Sequence, residues 1–344
     1  MEREIARGES AQPSRRSLLR TAIWLGLTGL SLYLVAPSLL DTLGSWRELD
    51  RFGAGWLVVM LALQAAALGC LWILQHLALH TGSWYAVITS HLAGNAMAKI
   101  APGGNAVGAA LQYRLLVESG ISRTRAVSAL TATNVMTFGV VLALPVMAIP
   151  AIVRGGVHRS LIEATIIGVA AFLALAGIGA ASLASNRPLA WLGRTIQRVR
   201  TRTRPSGNPG TGLPARLLRE RDSILATLGP SWRRALLATT GRWAFDYATL
   251  LAALAAVGSR PRPSLVLLAF CMAQILTQIP LTPGGLGFVE AGLTATLALA
   301  GVSGGAAVLA TFAYRLFSYW LALPAGLGAF VLHRRRFGGA AASS

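Results

Sequence analysis

A few charged side chains stand inside long apolar stretches of this chain: Lys99, Arg242, Asp246, Glu290 and Arg315. A charge held in hydrocarbon costs about 2.5–3.5 kcal/mol on insertion scales, so each needs a partner or a purpose. Lys99 precedes the tripeptide Pro102-Gly103-Gly104 by three residues, and Glu290 follows a second one, Pro283-Gly284-Gly285. Proline removes an amide donor and paired glycines loosen the backbone, so each tripeptide breaks a helix in two. The half-helix that restarts presents its positive end to whatever lies at the break. Lys99 and the amides around Gly104 and Gly285 therefore form candidate anion sites, and a phosphate suits them all. Glu290 and Arg315 are either an ion pair that locks the second break or an exchangeable pair, in which an incoming anion competes for Arg315 and releases Glu290. Arg242 and Asp246 lie four apart on one helix and either pair with each other as a self-neutralised bridge or line the site. His91, Asn95, Gln274 and Gln278 are candidate polar lining.

Other chemistry finds little footing. No glycine-rich loop ends in Lys-Ser/Thr, no histidines stand at metal spacing and no serine sits in a Gly-x-Ser-x-Gly elbow. Cys70 and Cys271 both sit inside long apolar runs, which leaves neither a disulfide framework nor a paired-cysteine metal site. No metal, no cofactor and no catalytic residue is expected. One enzymatic alternative survives: a multispan transferase using a lipid-phosphate donor, for which Asp41, Glu48 and Asp50 are the only cluster of acids on an outer loop.

The elements that must position these residues follow from composition. Of 344 residues 54% are hydrophobic and 12% charged, against about 25% charged in soluble domains. About 20 helical residues cross a bilayer core, and six stretches reach that length: 21–40, 56–79, 126–153, 164–184, 235–257 and 306–332. Two more, 84–117 and 264–300, contain the Pro-Gly-Gly breaks and read as re-entrant hairpins, each entering and leaving on one side. The expected fold is an all-α polytopic membrane protein of about six spans and two hairpins. A basic tail at 1–17 precedes a single membrane domain at 18–335, and a short tail at 336–344 follows. The chain carries +19, and every basic residue but Lys99 is arginine. The arginines concentrate in the first tail, in a loop at 186–234 and at Arg334, Arg335 and Arg336, all of which fall on the cytoplasmic side when spans and hairpins are counted through. The basic excess is thus topology and attraction to membrane lipids, not nucleic-acid binding.

Sliding the chain over itself by 181 residues lays Pro102-Gly103-Gly104 on Pro283-Gly284-Gly285 and gives eleven identities in the 33 positions from Pro102 to Asn134. Repeat 1 then covers about 56–153 and repeat 2 about 235–332. Each reads span, broken hairpin, span. One further span between them inverts the second relative to the first, and paired interruptions in inverted halves are the pattern of secondary-transporter sites.

The run Pro280-Leu281-Thr282-Pro283-Gly284-Gly285-Leu286-Gly287-Phe288-Val289-Glu290, followed by Tyr314-Arg315-Leu316-Phe317-Ser318-Tyr319-Trp320, resembles the flippase-like family named after the transmembrane region of lysylphosphatidylglycerol synthase. In the first half Asn95 and Pro102-Gly103-Gly104 match more loosely, and the resemblance covers roughly residues 20 to 335. It implies an integral membrane flippase or transporter of an anionic lipid, either a phospholipid or a polyprenyl-phosphate-linked glycolipid. A cell-envelope synthase or glycosyltransferase is then a possible partner, and a non-catalytic subunit of such a synthase an alternative role. Two departures bear on the transfer. Where family members often carry an acid after the first Pro-Gly and an acid-arginine pair on the next span, this chain has Val107, Gly108 and Ala109, then Thr133 and Asn134. The chain also ends at Ser344 without the soluble aminoacyl-transferring domain, so lipid lysylation is not expected.

Overall fold

The computed structural model describes residues 53–101, 104–144, 229–277 and 283–337, with a few isolated positions between 166 and 222. The expected spans at 21–40 and 164–184, most of the basic loop at 186–234 and both tails lie outside the described residues. So do Asp41, Glu48, Asp50, Pro102, Gly103 and Gln278.

Among the described residues all regular structure is helical. In chain order the helices are α1 (Ala54–Leu79), α2 (Trp84–Ile100), α3 (Asn105–Glu118), α4 (Arg123–Ala143), α5 (Trp232–Ala256), α6 (Pro263–Leu276), α7 (Phe288–Leu299), α8 (Gly304–Arg315) and α9 (Ala322–Phe337). Local chemistry sets several of their ends. The Ser83 side chain accepts the Ala86 amide at the start of α2, and Pro263 opens α6, where its missing N–H costs nothing. Two helices, Ala54–Leu79 and the α8–α9 unit Gly304–Phe337, are long and apolar enough to cross a membrane. The expected span at 235–257 appears as α5, whose first turns bring in Arg233 and Arg234.

Each broken stretch holds two described helices, α2 and α3 in the first and α6 and α7 in the second. α2 ends at Ile100, and α3 starts at Asn105 and packs against α2. A Cβ on Gly94 would lie 2.8 Å from the Gly108 carbonyl oxygen, and one on Gly108 would lie 2.6 Å from the Ala98 Cβ. The two backbones touch there because neither residue has a side chain. α6 and α7 form the second pair, joined through a tight turn at Pro283–Gly285.

The exits of the two pairs share one geometry. After α3, Gly120 has φ 89° and the Ile121 amide bonds the Leu116 carbonyl at 3.1 Å; after α7, Gly301 has φ 90° and the Val302 amide bonds the Leu297 carbonyl at 3.1 Å. Each is a left-handed closure that satisfies the last carbonyls of its helix, and every corresponding atom stands 181 residues apart. Ser122 and Ser303 then begin α4 and α8 with matching extended backbones.

α1 and α5 lie side by side in opposite directions. The first half of α1, at Met60, shares a core with Leu250 and Leu254 near the end of α5. The second half, at Leu74 and Ala78, shares a separate core with Ala235 and Ala238 near the start of α5. The first core also takes in Phe270, Leu293, Val302 and Ala307 of the second half. The other takes in Val87, Leu116, Ile121 and Ala126 of the first. The loops that close the two helix pairs therefore sit at opposite ends of the α1–α5 axis. α4 joins through the Trp243 indole N–H, which donates to the Thr137 carbonyl at 3.0 Å.

α9 returns along α2. Tyr85 donates to the Leu332 carbonyl at 2.8 Å, and the fully buried His333 bridges Thr89 at 2.7 Å and the Leu115 carbonyl at 3.1 Å. The expected span at 306–332 appears as the helical unit Gly304–Phe337, in which a π-helical turn at Leu316–Trp320 stands between α8 and α9. In it the Leu321 amide reaches back five residues to the Leu316 carbonyl at 2.9 Å. Pro324, four residues after Trp320, has no N–H to offer the Trp320 carbonyl.

Candidate functional site

The end of α2 meets the turn before α7. Tyr319, 2% exposed, projects from the π-helical turn between them. Its hydroxyl donates to the Lys99 carbonyl at 2.9 Å, at the end of α2. Its ring lies so close to the turn before α7 that a Cβ on Gly284 would come within 2.6 Å of the tyrosine oxygen and 2.7 Å of the Lys99 carbonyl. Gly284 also has φ 61°, so both its backbone and its surroundings exclude a side chain. Lys99 answers by donating its ammonium to the Ser318 carbonyl of the π-helical turn. A widened turn leaves carbonyls outside the regular ladder, and a cation suits one.

Arg315 closes α8 beside this contact and is 5% exposed. Its Nε donates to Glu290 Oε1 at 2.6 Å and its Nη2 donates to the Gly284 carbonyl at 3.2 Å. Glu290 lies in the first turn of α7, where the positive helix end favours a carboxylate. The helix begins at Phe288, two residues later than the expected start near Leu286. The ion pair is made through one bond, from Nε, while Nη2 also reaches the Gly284 backbone. Glu290 Oε2 is buried and has no hydrogen-bond partner among the described residues. Both cations also stack on Tyr319, Arg315 at 4.5 Å and Lys99 at 4.8 Å from the ring centroid. An aromatic face attracts each cation and sets them around one ring.

Lys99, Gly284, Glu290 and Arg315 are thus brought together, with Pro283 and Gly285 in the same turn. The remaining candidates are distributed differently. Gly104 starts α3 with φ 50°, but its amide already bonds the Ala101 carbonyl at 3.0 Å, so it is not a free anion donor. Arg242 and Asp246 form no salt bridge among the described residues. Asp246 accepts the Tyr314 hydroxyl at 3.1 Å, and Tyr314 accepts from Gln274 at 3.2 Å, while Arg242 lies over the Trp243 ring at 4.5 Å with its Nε unpartnered. The direct hydrogen bond to the Asp246 carboxylate comes from a buried tyrosine of α8. His91 belongs to a polar chain in which Gln112 donates to Gln75 at 3.0 Å and Gln75 bonds His91 Nδ1 at 3.2 Å. Asn95 is half-buried on α2, one turn before Lys99.

Gln75, Gln112, Tyr314, Ser318 and Tyr319 escaped the candidate set. Two buried glutamines in apolar helices are a signal in themselves. Ser318 acts through its carbonyl, which no side-chain type can announce.

Several apolar helices, two of them long enough to span, with helix breaks converging on a buried ion cluster, define a helical membrane protein with an intramembrane polar centre. The model of the lysylphosphatidylglycerol synthase TM region matches residues 18–326, and the chain belongs to that family of multi-pass membrane proteins. No curated protein and no solved structure matches the chain.

Proposed function

We propose that the chain is a multi-pass carrier that moves an anionic lipid, a phospholipid or a polyprenyl-phosphate-linked glycolipid, between leaflets by alternating access around the two helix breaks. One observation carries the reading: both breaks end on the same buried cluster, where Lys99 and Arg315 share the Tyr319 ring and Glu290 holds Arg315 by a single bond. Two cations beside one carboxylate leave a positive site, which a phosphate complements with charge-assisted hydrogen bonds. Family membership supports the membrane setting. The antiparallel α1–α5 pair and the matching closures at Gly120 and Gly301 support inverted repeats, with one re-entrant hairpin from each side and both termini cytoplasmic. In this arrangement a headgroup phosphate displaces Glu290 from Arg315, the tips of the two hairpins part, and the site opens to the other leaflet.

The test is reconstitution into liposomes with a panel of fluorescent phospholipids and lipid-phosphate sugars, read by loss of signal to a membrane-impermeant quencher. Anionic lipids should cross faster than in protein-free vesicles, and phosphatidylcholine should not. New product from a sugar donor without translocation would favour a transferase; activity only with a co-purified synthase would favour a subunit role.

A further inference from the structure

We infer that Asp246 is a proton site and that the carrier moves one proton together with each anionic lipid. The inference rests on the proposed lipid-carrier reading and supplies its driving force.

Asp246 is 5% exposed on α5 and forms no salt bridge among the described residues. Its Oδ1 accepts the Tyr314 hydroxyl at 3.1 Å, and Tyr314 accepts from Gln274 at 3.2 Å, so both members of the chain that reaches it are neutral. Arg242, one turn earlier, lies over the Trp243 ring, and Lys99 is committed to the Ser318 carbonyl. These two cations act on the Asp246 charge from a distance. Other titratable groups on the helices around α5 are engaged elsewhere. Arg315 of α8 holds Glu290, His91 of α2 bonds Gln75, and His76 of α1 stacks on Trp84. Cys70 of α1 faces Gly241, Cys271 lies buried in α6, and Arg123 and Arg125 stand exposed at the start of α4.

Within this group a proton is best placed on Asp246. Glu290 has Arg315 at 2.6 Å and the positive end of α7, both of which favour its ionised form. A proton on His91 would create a buried charge, whereas one on Asp246 removes a buried charge. A phosphate seated on Lys99 and Arg315 cancels the positive field that keeps Asp246 ionised, so lipid uptake favours proton uptake. By linkage the proton strengthens lipid binding by the same factor. The proton comes from water on one side, forms an O–H bond on the carboxylate oxygen that Tyr314 does not hold, and returns to water on the other side when the lipid leaves. Charge is conserved at the centre. Empty, it sets Lys99, Arg242 and Arg315 against Asp246 and Glu290; adding one anion and one proton leaves that balance unchanged, so the loaded and the returning carrier bear the same charge.

The test places the full-length chain in phosphatidylcholine liposomes with a trace of fluorescent phosphatidylglycerol or of a fluorescent polyprenyl-phosphate sugar. Both probes are phosphodiesters, whose own charge does not change near neutral pH. With the potential clamped by potassium and valinomycin, a pH difference should concentrate the probe in the alkaline leaflet, by about tenfold per pH unit for one proton per lipid. A potassium diffusion potential at equal pH should leave the leaflets equal. In Asp246→Asn the two responses should exchange: the probe ignores the pH difference and gathers on the positive side, as a bare anion does. In detergent, wild-type affinity for the same probes, from thermal-shift titrations, should rise as pH falls, and the affinity of Asp246→Asn should not change with pH. That profile decides even where the variant binds without transporting. Tyr314→Phe keeps the acid but removes the hydroxyl that favours its ionised form. Its affinity curve should move to higher pH by about one unit or more, the scale of one hydrogen bond to a charged group, and this variant decides if Asp246→Asn does not fold.

A wild-type distribution that follows the potential and not the pH difference would overturn the inference and leave the anionic-lipid carrier standing. A pH dependence that survives in Asp246→Asn, or an unmoved curve in Tyr314→Phe, would also overturn it, since either puts the proton on another group. Failure of both probes to bind or to move would remove the carrier reading itself, and the inference with it.

Discussion

Arg315 divides its donors between a side chain and a backbone carbonyl, and this division separates a gate from a lock. In a lock, Glu290→Gln and Arg315→Gln each leave a buried charge unmatched, at about 3–5 kcal/mol, and the double variant restores stability and transport together. In the proposed carrier the double variant regains thermal stability but does not transport, because the phosphate has lost its cation. Arg315→Lys should also transport poorly, since an ammonium lacks the planar fork. Stability by thermal unfolding and flux in liposomes, measured on the same four proteins, distinguish the two. Tyr319→Phe isolates the hydroxyl. It keeps the ring that carries both cations and removes the bond to the Lys99 carbonyl, so it should cost about 0.5–1.5 kcal/mol of stability. Tyr319→Leu removes the ring face as well and should weaken anionic-lipid affinity further. At this scale the sequence exposed the charges, since a lysine, a glutamate and an arginine in apolar runs require explanation. It hid the Tyr319 ring and the Ser318 carbonyl, whose roles depend on a local change of helical pitch. It left open whether Arg242 pairs with Asp246, because four-residue spacing is compatible with pairing but does not compel it when Tyr314 from another helix competes.

The first broken element depends on contact between backbones. Gly94 and Gly108 face each other across α2 and α3, and a methyl group on either would press on a main-chain atom that cannot move alone. Gly108→Ala should therefore separate the pair and destabilise the chain by about 1–3 kcal/mol, as overpacking does. Gly120→Ala meets open space but requires φ 89°, so it should cost about 1–2 kcal/mol through backbone strain alone. Thermal unfolding in detergent of both variants compares the two mechanisms. The breaks themselves were legible, because proline and glycine act locally and leave the helix no alternative. Close approach at Gly94 was not, since a single glycine in an apolar helix carries no mark of what lies opposite.

At the level of the whole molecule, a shift of 181 residues relates exit turns of the same backbone conformation, two antiparallel helices and two cores at opposite ends of the α1–α5 axis. The proposed topology places the loop at Ser122 in the cytoplasm and the loop at Ser303 outside. Single cysteines at these positions, in a chain with Cys70 and Cys271 replaced, should react with an impermeant maleimide from opposite faces of intact cells; labelling from the same face would contradict the inverted arrangement. The two similar exits were legible because each needs a glycine, Gly120 and Gly301, for its left-handed backbone. The departures are as informative: Asn134 is exposed where its counterpart Arg315 is buried, so one backbone frame supports a charged cluster in only one half.

The widened turn at Leu316–Trp320 holds one residue more than an α-helical turn would. That surplus is absorbed on the spot, which is why α9 still meets α2 in register through Tyr85 and His333. Removing the exposed Leu316 should return the segment to ordinary pitch, leave α9 seated where it is and withdraw the carbonyl offered to Lys99 and the ring shared by both cations. Such a deletion, normally among the harshest changes a helix can suffer, should here fold with near-native thermal stability and yet carry no lipid. The unwound alternative is a swivel: if the turn tightens with all its residues present, α9 rotates by about 100° relative to α8, one residue's worth of helix. A single surplus residue thus stores a rotary step in an otherwise rigid span.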